Sequence, residues 1–406
     1  MNRPLRLAQV GVGGFGRVHE MAALRLQDQG LIEVAAFAEP SDANAENSLL
    51  AAQNVRRYAS FDALLAAESR VDIVALATPI PYHYAQARKA LERGLHLFLE
   101  KPPVVCIQHL RDLEAIRQRA GLQCAVGFHD MARPDAIRLK QRLCEGVLGK
   151  VMAVRAEARW RRTDAYYARN AWAGKLCLNG TWVLDGPMNN ACAHVLNMTS
   201  FLAGTTPESF ARPLSVQAEL YRAADIEGED TNCLRARMDS GVEVCIHLTQ
   251  ASDIPASRMW TVIGEKGTAL LSDERGMTIQ DEHMPPLLDA SLTEALLRRL
   301  TLVLQGVEKD VLMPLAEAEG FLLLSNGAYE SAGGIASVPP EFTARIPEDG
   351  SMATIIPGIA ETIKTATQAG KLLSECGLSW TQATQPFSLE GYAAFPTRWG
   401  KYVEAI

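Results

Sequence analysis

The chain has 406 residues, 48% of them hydrophobic and 21% charged, with a net charge of −7. That length exceeds what one hydrophobic core serves, so two domains are expected. An acidic balance without a basic block argues against nucleic acid as a partner, and no apolar run approaches the roughly 18 residues of a membrane span.

The first element is an apolar strand, Leu5 to Val10, and since Met1 to Gln9 leads straight into it, no targeting segment is expected. It delivers Gly11-Val12-Gly13-Gly14-Phe15-Gly16, after which helix formers run from Arg17 to Gln27. Gly11, Gly13 and Gly16 fit the pattern in which one glycine makes a tight turn, one admits a pyrophosphate and one lets helix pack on strand. The phosphates would sit on the helix N-terminus, with Gly14 and Phe15 beside them. Ile32 to Ala38 reads as a buried parallel strand ending at Glu39-Pro40. A carboxylate at Glu39 either accepts hydrogen bonds from the ribose hydroxyls of NAD, repelling the 2′-phosphate of NADP, or is a solvated strand-end charge.

Ser41 and Ser60 read as caps for helices over Asp42 to Gln53 and Phe61 to Ala67. Val71 to Ala77 is a third strand, closing on Thr78-Pro79, and the helical run Pro81 to Arg93 stops at Gly94. Leu95 to Leu99 then carries Glu100-Lys101-Pro102-Pro103 to a strand carboxyl end, where ligands of doubly wound sheets bind. A helix over Ile107 to Arg119 and a strand over Leu122 to Gly127 complete a dinucleotide-binding domain, placed at 1–128. The eight cysteines, at 106, 124, 144, 177, 192, 233, 245 and 376, contain no C-x-x-C pair, so neither zinc nor a redox dithiol is expected. Reduced thiols fit a cytoplasmic protein.

Gly11-x-Gly13-x-x-Gly16, Thr78-Pro79-x-x-x-His83 and Glu100-Lys101-Pro102, in this order, resemble the Gfo/Idh/MocA family, the glucose-fructose oxidoreductase and inositol dehydrogenase group. Gly149-Lys150, Ile263-Gly264-Glu265-Lys266-Gly267 and Ala328-Tyr329-Glu330-Ser331 extend the likeness along the chain. The resemblance implies an N-terminal Rossmann domain with a doubly wound parallel sheet. A C-terminal α+β domain would follow at 129–406, with a large, open, mostly antiparallel sheet that often forms an oligomer interface. Strands at Val151 to Trp160, Leu234 to Met238, Val242 to Thr249 and Thr261 to Gly264, with helices at Ala290 to Leu304 and Pro314 to Ala332, agree with it. The Gly, Pro and Ser-rich tail after Pro339 is expected to wrap the surface.

The same resemblance implies an NAD-dependent oxidoreductase of a sugar, polyol or sugar derivative that needs no metal, with Thr78, Pro79, His83, Glu100 and Lys101 bordering the cofactor. Lys101 would lie beside the nicotinamide and stabilise the reacting oxygen. Family members often show D-x-x-x-H-x-x-D followed six residues later by glycine, and two registers fit here. With Asp185 in the aspartate position, Asn189 falls on the histidine. Aligned instead on Gly204, Asn190, His194 and Asn197 fall on Asp, His and Asp, forming one polar stripe along a helix, and this register is preferred. His194 is then the general base, and Asn190, which cannot hold a proton, departs from the family, with Asp185 as a substitute carboxylate. The polar-aromatic stretch from Arg161 to Lys175 suits a sugar, with Tyr167 and Arg169 as contacts or, alternatively, parts of a solvated loop, and His129 is a further pocket candidate. Two other activities stay open: bond cleavage through transient oxidation with resident NAD, and a sensor without turnover.

Overall fold

A computed structural model describes Arg3–Trp399. The chain divides into two compact units. The first runs through Val104 and adds His109–Arg133 and Leu287–Ala318; the second takes Val105–Gln108, Pro134–Pro286 and the chain from Glu319.

The first unit is a doubly wound sheet. Its strands are β1 (Leu5–Val10), β2 (Ile32–Ala38), β3 (Arg56–Tyr58), β4 (Ile73–Leu76), β5 (His96–Leu99) and β6 (Cys124–Val126). All pair in parallel, in the order β3-β2-β1-β4-β5-β6. Leu7, Ala8, Ile73, Val74, Leu97 and Phe98 are fully buried, as expected where helices cover both faces. The order reverses between β1 and β4, and that crevice at the strand carboxyl ends is where such sheets bind ligands. The helices include α1 (Gly16–Asp28), α2 (Asp42–Glu46), α3 (Leu49–Ala52), α4 (Phe61–Ala67), α5 (Ile80–Glu92) and α6 (Ile107–Ala120). The single helix expected over Asp42 to Gln53 is thus two. Ser48 breaks it, its hydroxyl accepting from Leu50 N and Ala51 N to cap α3. The short strand at Arg56–Tyr58 was not expected from the sequence; it is an exposed edge without an apolar run.

The compact units divide the chain differently from the boundary expected at 128/129. Leu287–Ala318 returns to the first unit, where a helix at Ser291–Leu304 lies along α1 and Arg25 meets Glu294 at 3.3 Å. An amphipathic helix declares that it has a partner but not which one.

The second unit opens with α7 (Pro134–Cys144), absent from the sequence reading, and β7 (Val151–Arg161), followed by α8 (Asp164–Tyr167) and a small hairpin of β8 (Cys177–Leu178) and β9 (Thr181–Trp182). A π-helical turn at Pro187–Ala191 leads into α9 (Ala193–Ala203). Strands β10 (Pro213–Arg222), β11 (Thr231–Met238), β12 (Glu243–Thr249), β13 (Ala251–Gly264), β14 (Gly267–Ser272), β15 (Gly276–Ile279) and β16 (Glu282–Met284) join β7 in a ten-stranded sheet. Neighbours in it are antiparallel except β12 with β7 and β10 with a two-residue strand at Ala336–Ser337. Strand alternation sets its two faces. Val154, Ala156, Ala158, Val244, Ile246 and Leu248 are buried, and α9 packs on β7 while the helix Glu319–Ala332 packs on β10.

The tail after Pro339 does not merely wrap the surface. It forms a hairpin of Ala344–Glu348 with Ser351–Ile355, then a helix at Ile359–Ala369. Ile359, Ile363, Leu372, Leu373 and Trp380 build a hydrophobic cluster with Tyr221 and Cys233 of the sheet. The Gly and Pro content marks turns between elements here, not their absence. No helix among the described residues is long and apolar enough to cross a membrane.

Candidate active site

In the first unit the glycine turn is built by close approach. Gly11 has φ +84°, and a Cβ there would lie 2.6 Å from the Ala77 carbonyl oxygen. A Cβ on Gly16 would lie 2.6 Å from the Gly11 carbonyl oxygen, so helix and turn can meet only without side chains. Gln9, fully buried, stitches the turn by donating from Nε2 to the carbonyls of Gly11 (3.0 Å) and Gly16 (2.9 Å). Its strand position disguised that role in the sequence. Gly14 has φ +53° and open space where its Cβ would be, while Phe15 stands at the N-cap of α1 without a side-chain cap bond. The first turn of α1 carries no acid, leaving a dipole end suited to an anion.

Glu39 ends β2 almost fully buried, and its Oε2 accepts from Val12 N of the turn at 3.1 Å while Oε1 accepts from Ser41 N at 3.0 Å. It is therefore no solvated surface charge. Three residues expected near the cofactor have internal partners. His83 lies between the carbonyl oxygens of Pro102 and Thr78, each 2.7 Å from a ring nitrogen, so it brackets the loops holding Thr78-Pro79 and Lys101-Pro102. Burial pushes its pKa below the ordinary value, against the pull of both carbonyls. Glu100 turns inward onto His19 at 3.0 Å; burial would raise its pKa, but the His19 bond and nearby positive groups hold it below the ordinary value. Thr78 donates its hydroxyl to Gln86 Oε1 at 2.6 Å. Lys101 is half-buried at the carboxyl end of β5, and His129 stacks on Phe15 with ring centroids 5.7 Å apart.

In the second unit Asp185 and Asn190 meet. Asn190 Nδ2 donates to Asp185 Oδ1 at 2.7 Å, and Gly174 N donates to Oδ2 at 2.6 Å. The two registers weighed in the sequence therefore converge on one carboxylate–amide pair. The single helical stripe through Asn190, His194 and Asn197 is a correction: α9 begins only at Ala193, and Asn190 belongs to the π-turn before it. The wider turn folds Asn190 back onto Asp185, a geometry that counting at 3.6 residues per turn cannot show. His194, 4% exposed, sits in the first turn of α9. Asn189 is fully buried and accepts from the Ser325 hydroxyl at 2.9 Å.

Helix α9 is fixed at several points. Trp260 Nε1 donates to Val195 O at 3.2 Å, and buried Lys140 donates to the carbonyls of Phe201, Gly204 (2.6 Å) and Ser209 (3.2 Å) at the helix C-terminus. Tyr167 and Arg169 also have partners. The Tyr167 hydroxyl donates to Gln250 Oε1 at 3.0 Å, and burial keeps it well above its ordinary pKa. The Arg169 guanidinium lies 3.7 Å over the Tyr166 ring, with Nη2 3.8 Å from Asp185 Oδ2. Arg162 also stacks on Tyr166, at 4.4 Å. The stretch is thus an ordered aromatic–cation cluster beside Asp185, not a solvated loop.

Two family models match the chain. The oxidoreductase family model with NAD-binding Rossmann fold, GFO_IDH_MocA, covers residues 5–128, and the GFO/IDH/MocA C-terminal domain covers 136–270. The rhizopine catabolism protein MocA of Rhizobium meliloti is 30% identical over 149 residues, 37% of this chain and 45% of that protein. D-glucoside 3-dehydrogenase of Escherichia coli K12 is 28% identical over 159 residues, 38% of this chain and 43% of that protein. The chain thus matches less than half the length of these curated relatives. The WlbA dehydrogenase of Bordetella pertussis, solved with NADH and UDP-GlcNAcA, shares the fold at TM-score 0.69 and 23% identity, over 81% of this chain and 97% of that one. The chain belongs to the GFO/IDH/MocA oxidoreductase family, with that family's NAD-binding Rossmann fold followed by its C-terminal domain.

Proposed function

We propose that the protein is an NAD-dependent oxidoreductase that exchanges a hydride with a carbon bearing a hydroxyl on a sugar, polyol or sugar derivative. The observation that carries this reading is the cradle after β1. Its left-handed glycines, the open side of Gly14 and the uncapped N-terminus of α1 fit a pyrophosphate, and Glu39 ends the next strand where ribose hydroxyls need an acceptor. Glu39 Oε1 accepts from Ser41 N and, at 3.5 Å, from Asn44 Nδ2, while Oε2 accepts from Val12 N and has a second lone pair for ribose. Its charge disfavours NADP. Bound there, NAD supplies the hydride acceptor.

The chain's own groups do the rest. The Lys101 ammonium stabilises the substrate oxygen as negative charge builds on it, and His194 accepts the hydroxyl proton. The Asp185–Asn190 pair offers a carboxylate and an amide to sugar hydroxyls, with Tyr166, Tyr167 and Arg169 forming the wall beside them. That a curated relative is a D-glucoside dehydrogenase, and that a protein of the same fold was solved with a nucleotide sugar, supports the substrate class. A homo-oligomer in a reducing cytoplasm belongs to the same reading, and all eight cysteines are free thiols. The test is to incubate the protein with NAD and a panel of polyols, aldoses and glycosides, following nicotinamide absorbance and sugar mass together. Reduced cofactor beside an oxidised sugar is expected. Cleaved glycoside without net reduction would replace the dehydrogenase by a lyase, and silence across the panel would favour the sensor.

A further inference from the structure

Beneath Asp185 lies a second acid that the reading above does not use. Glu229 is fully buried in the segment between β10 and β11. Its Oε2 accepts from the Tyr329 hydroxyl, and its Oε1 has no hydrogen-bond partner among the described residues. The crossing that brings it there depends on two glycines. A Cβ on Gly186 would lie 2.5 Å from the Glu229 carboxyl group, and a Cβ on Gly228 would lie 2.3 Å from the Asp185 carbonyl oxygen. Gly174 ties the knot, donating its N–H to Asp185 Oδ2 at 2.6 Å while its carbonyl accepts from Glu227 N (2.9 Å) and Gly228 N (2.8 Å).

Two acids that feel each other's charge, one of them fully buried, do not both ionise cheaply. Their partners decide which does. Asp185 receives two N–H donors and has the Arg169 guanidinium at 3.8 Å. Glu229 is bonded by the Tyr329 hydroxyl and feels the charge of Asp185. Its chain neighbour Asp230 turns away to accept from Ala223 N and Ala224 N, and Lys175 is taken by Glu227 at 2.6 Å. No cation is paired with Glu229 among the described residues. Burial, with the charge of Asp185 added and the Tyr329 hydroxyl and the backbone N–H groups of Glu229 and Met188 opposing, pushes its pKa up to about 8.

We propose that Glu229 is a positioning residue of the site, held as a neutral carboxylic acid beneath Asp185 so that Asp185 is the single negative charge behind Asn190. This deepens the assignment of the Asp185–His194 segment to the substrate and rests on it. Oε1 carries the proton while Oε2 stays the acceptor for Tyr329, so ionising Glu229 puts a second negative charge against Asp185. The tuning of the site is then lost as pH rises through about 8.

The test reads the two carboxyls directly, without turnover. Carbon-13 NMR of the full chain, with the Asp185 and Glu229 carboxyl signals assigned by substitution, is followed from pH 5 to 10. Glu229 is expected to be protonated at pH 7, and the Asp185 signal to show an inflection near pH 8 that disappears in Glu229→Gln, whose amide keeps the neutral shape. A melting curve adds the sign. A raised folded pKa favours the folded chain below the unfolded value and loses that advantage up to about pH 8. The wild-type melting temperature should therefore fall relative to Glu229→Gln from pH 5 to 8, with the gap constant above. A Glu229 ionised at pH 7, or an Asp185 titration unchanged by Glu229→Gln, overturns the proposal and leaves the oxidoreductase reading untouched. If the variant does not fold, the wild-type inflection alone decides.

Discussion

At the scale of single residues, the proposed chemistry falls on Lys101 and His194, and each is separable from binding. Replacing either by Ala is expected to lower turnover roughly 10²- to 10⁴-fold, the range of a lost proton-transfer or charge-stabilising group, with NAD affinity by fluorescence titration nearly unchanged. A variant turning over at the wild-type rate would remove that residue from the mechanism. In the proposed function, Glu39 belongs to the cofactor instead. Glu39→Ala should erode the preference for NAD over NADP by about tenfold, the worth of one charge-assisted contact, and an unaltered ratio of the two affinities would confine Glu39 to supporting Val12. Residue identity was legible where a motif is local, as at Gly11, Gly16 and Glu39. It was not legible at Asn190, because the π-turn that returns it to Asp185 has no periodic signal.

At the scale of elements, the role proposed for His194 needs α9 held still, and Lys140 bonds the carbonyls at that helix's C-terminus from α7. Lys140→Met keeps the apolar stem but strands three carbonyls, that of Phe201 buried and those of Gly204 and Ser209 half-buried, so a loss of about 2–4 kcal/mol is expected in denaturant unfolding. A loss under about 0.5 kcal/mol would show that water replaces the ammonium. The C-terminal helix Ile359–Ala369 is anchored similarly, because Asp253 accepts from Gly358 N (2.7 Å) and Ala360 N (3.0 Å) at its start. Truncation after Pro339 would expose the sheet face under Ile359, Ile363, Leu372, Leu373 and Trp380, each worth about 1.5–3 kcal/mol of burial. The shortened chain should aggregate or melt at least several degrees lower, and a melting temperature equal to the full chain's would make the tail dispensable. The helix carries a legible spacing in Ile359, Ala360, Ile363 and Ala366 between Gly358 and Gly370, which the Gly and Pro of the surrounding tail overshadowed.

At the scale of the whole molecule, the strand–helix alternation of the first unit was legible because each strand except Arg56–Tyr58 is an apolar run bounded by turn residues. The second unit was legible only in outline. Its long strands alternate, but β10 and α7 went unread, and Leu287–Ala318 joined the first unit although its sequence position suggested the second. Chain order is a poor guide to which core an amphipathic helix completes. The fold and the family motifs together lead to one central claim, hydride transfer between a sugar carbon and NAD. Its most direct test uses a sugar bearing deuterium on the carbon oxidised, with mass analysis of the nicotinamide formed. The account predicts one deuterium on the nicotinamide ring and none in water. Deuterium released to solvent, or retained on the sugar while product forms, would contradict it.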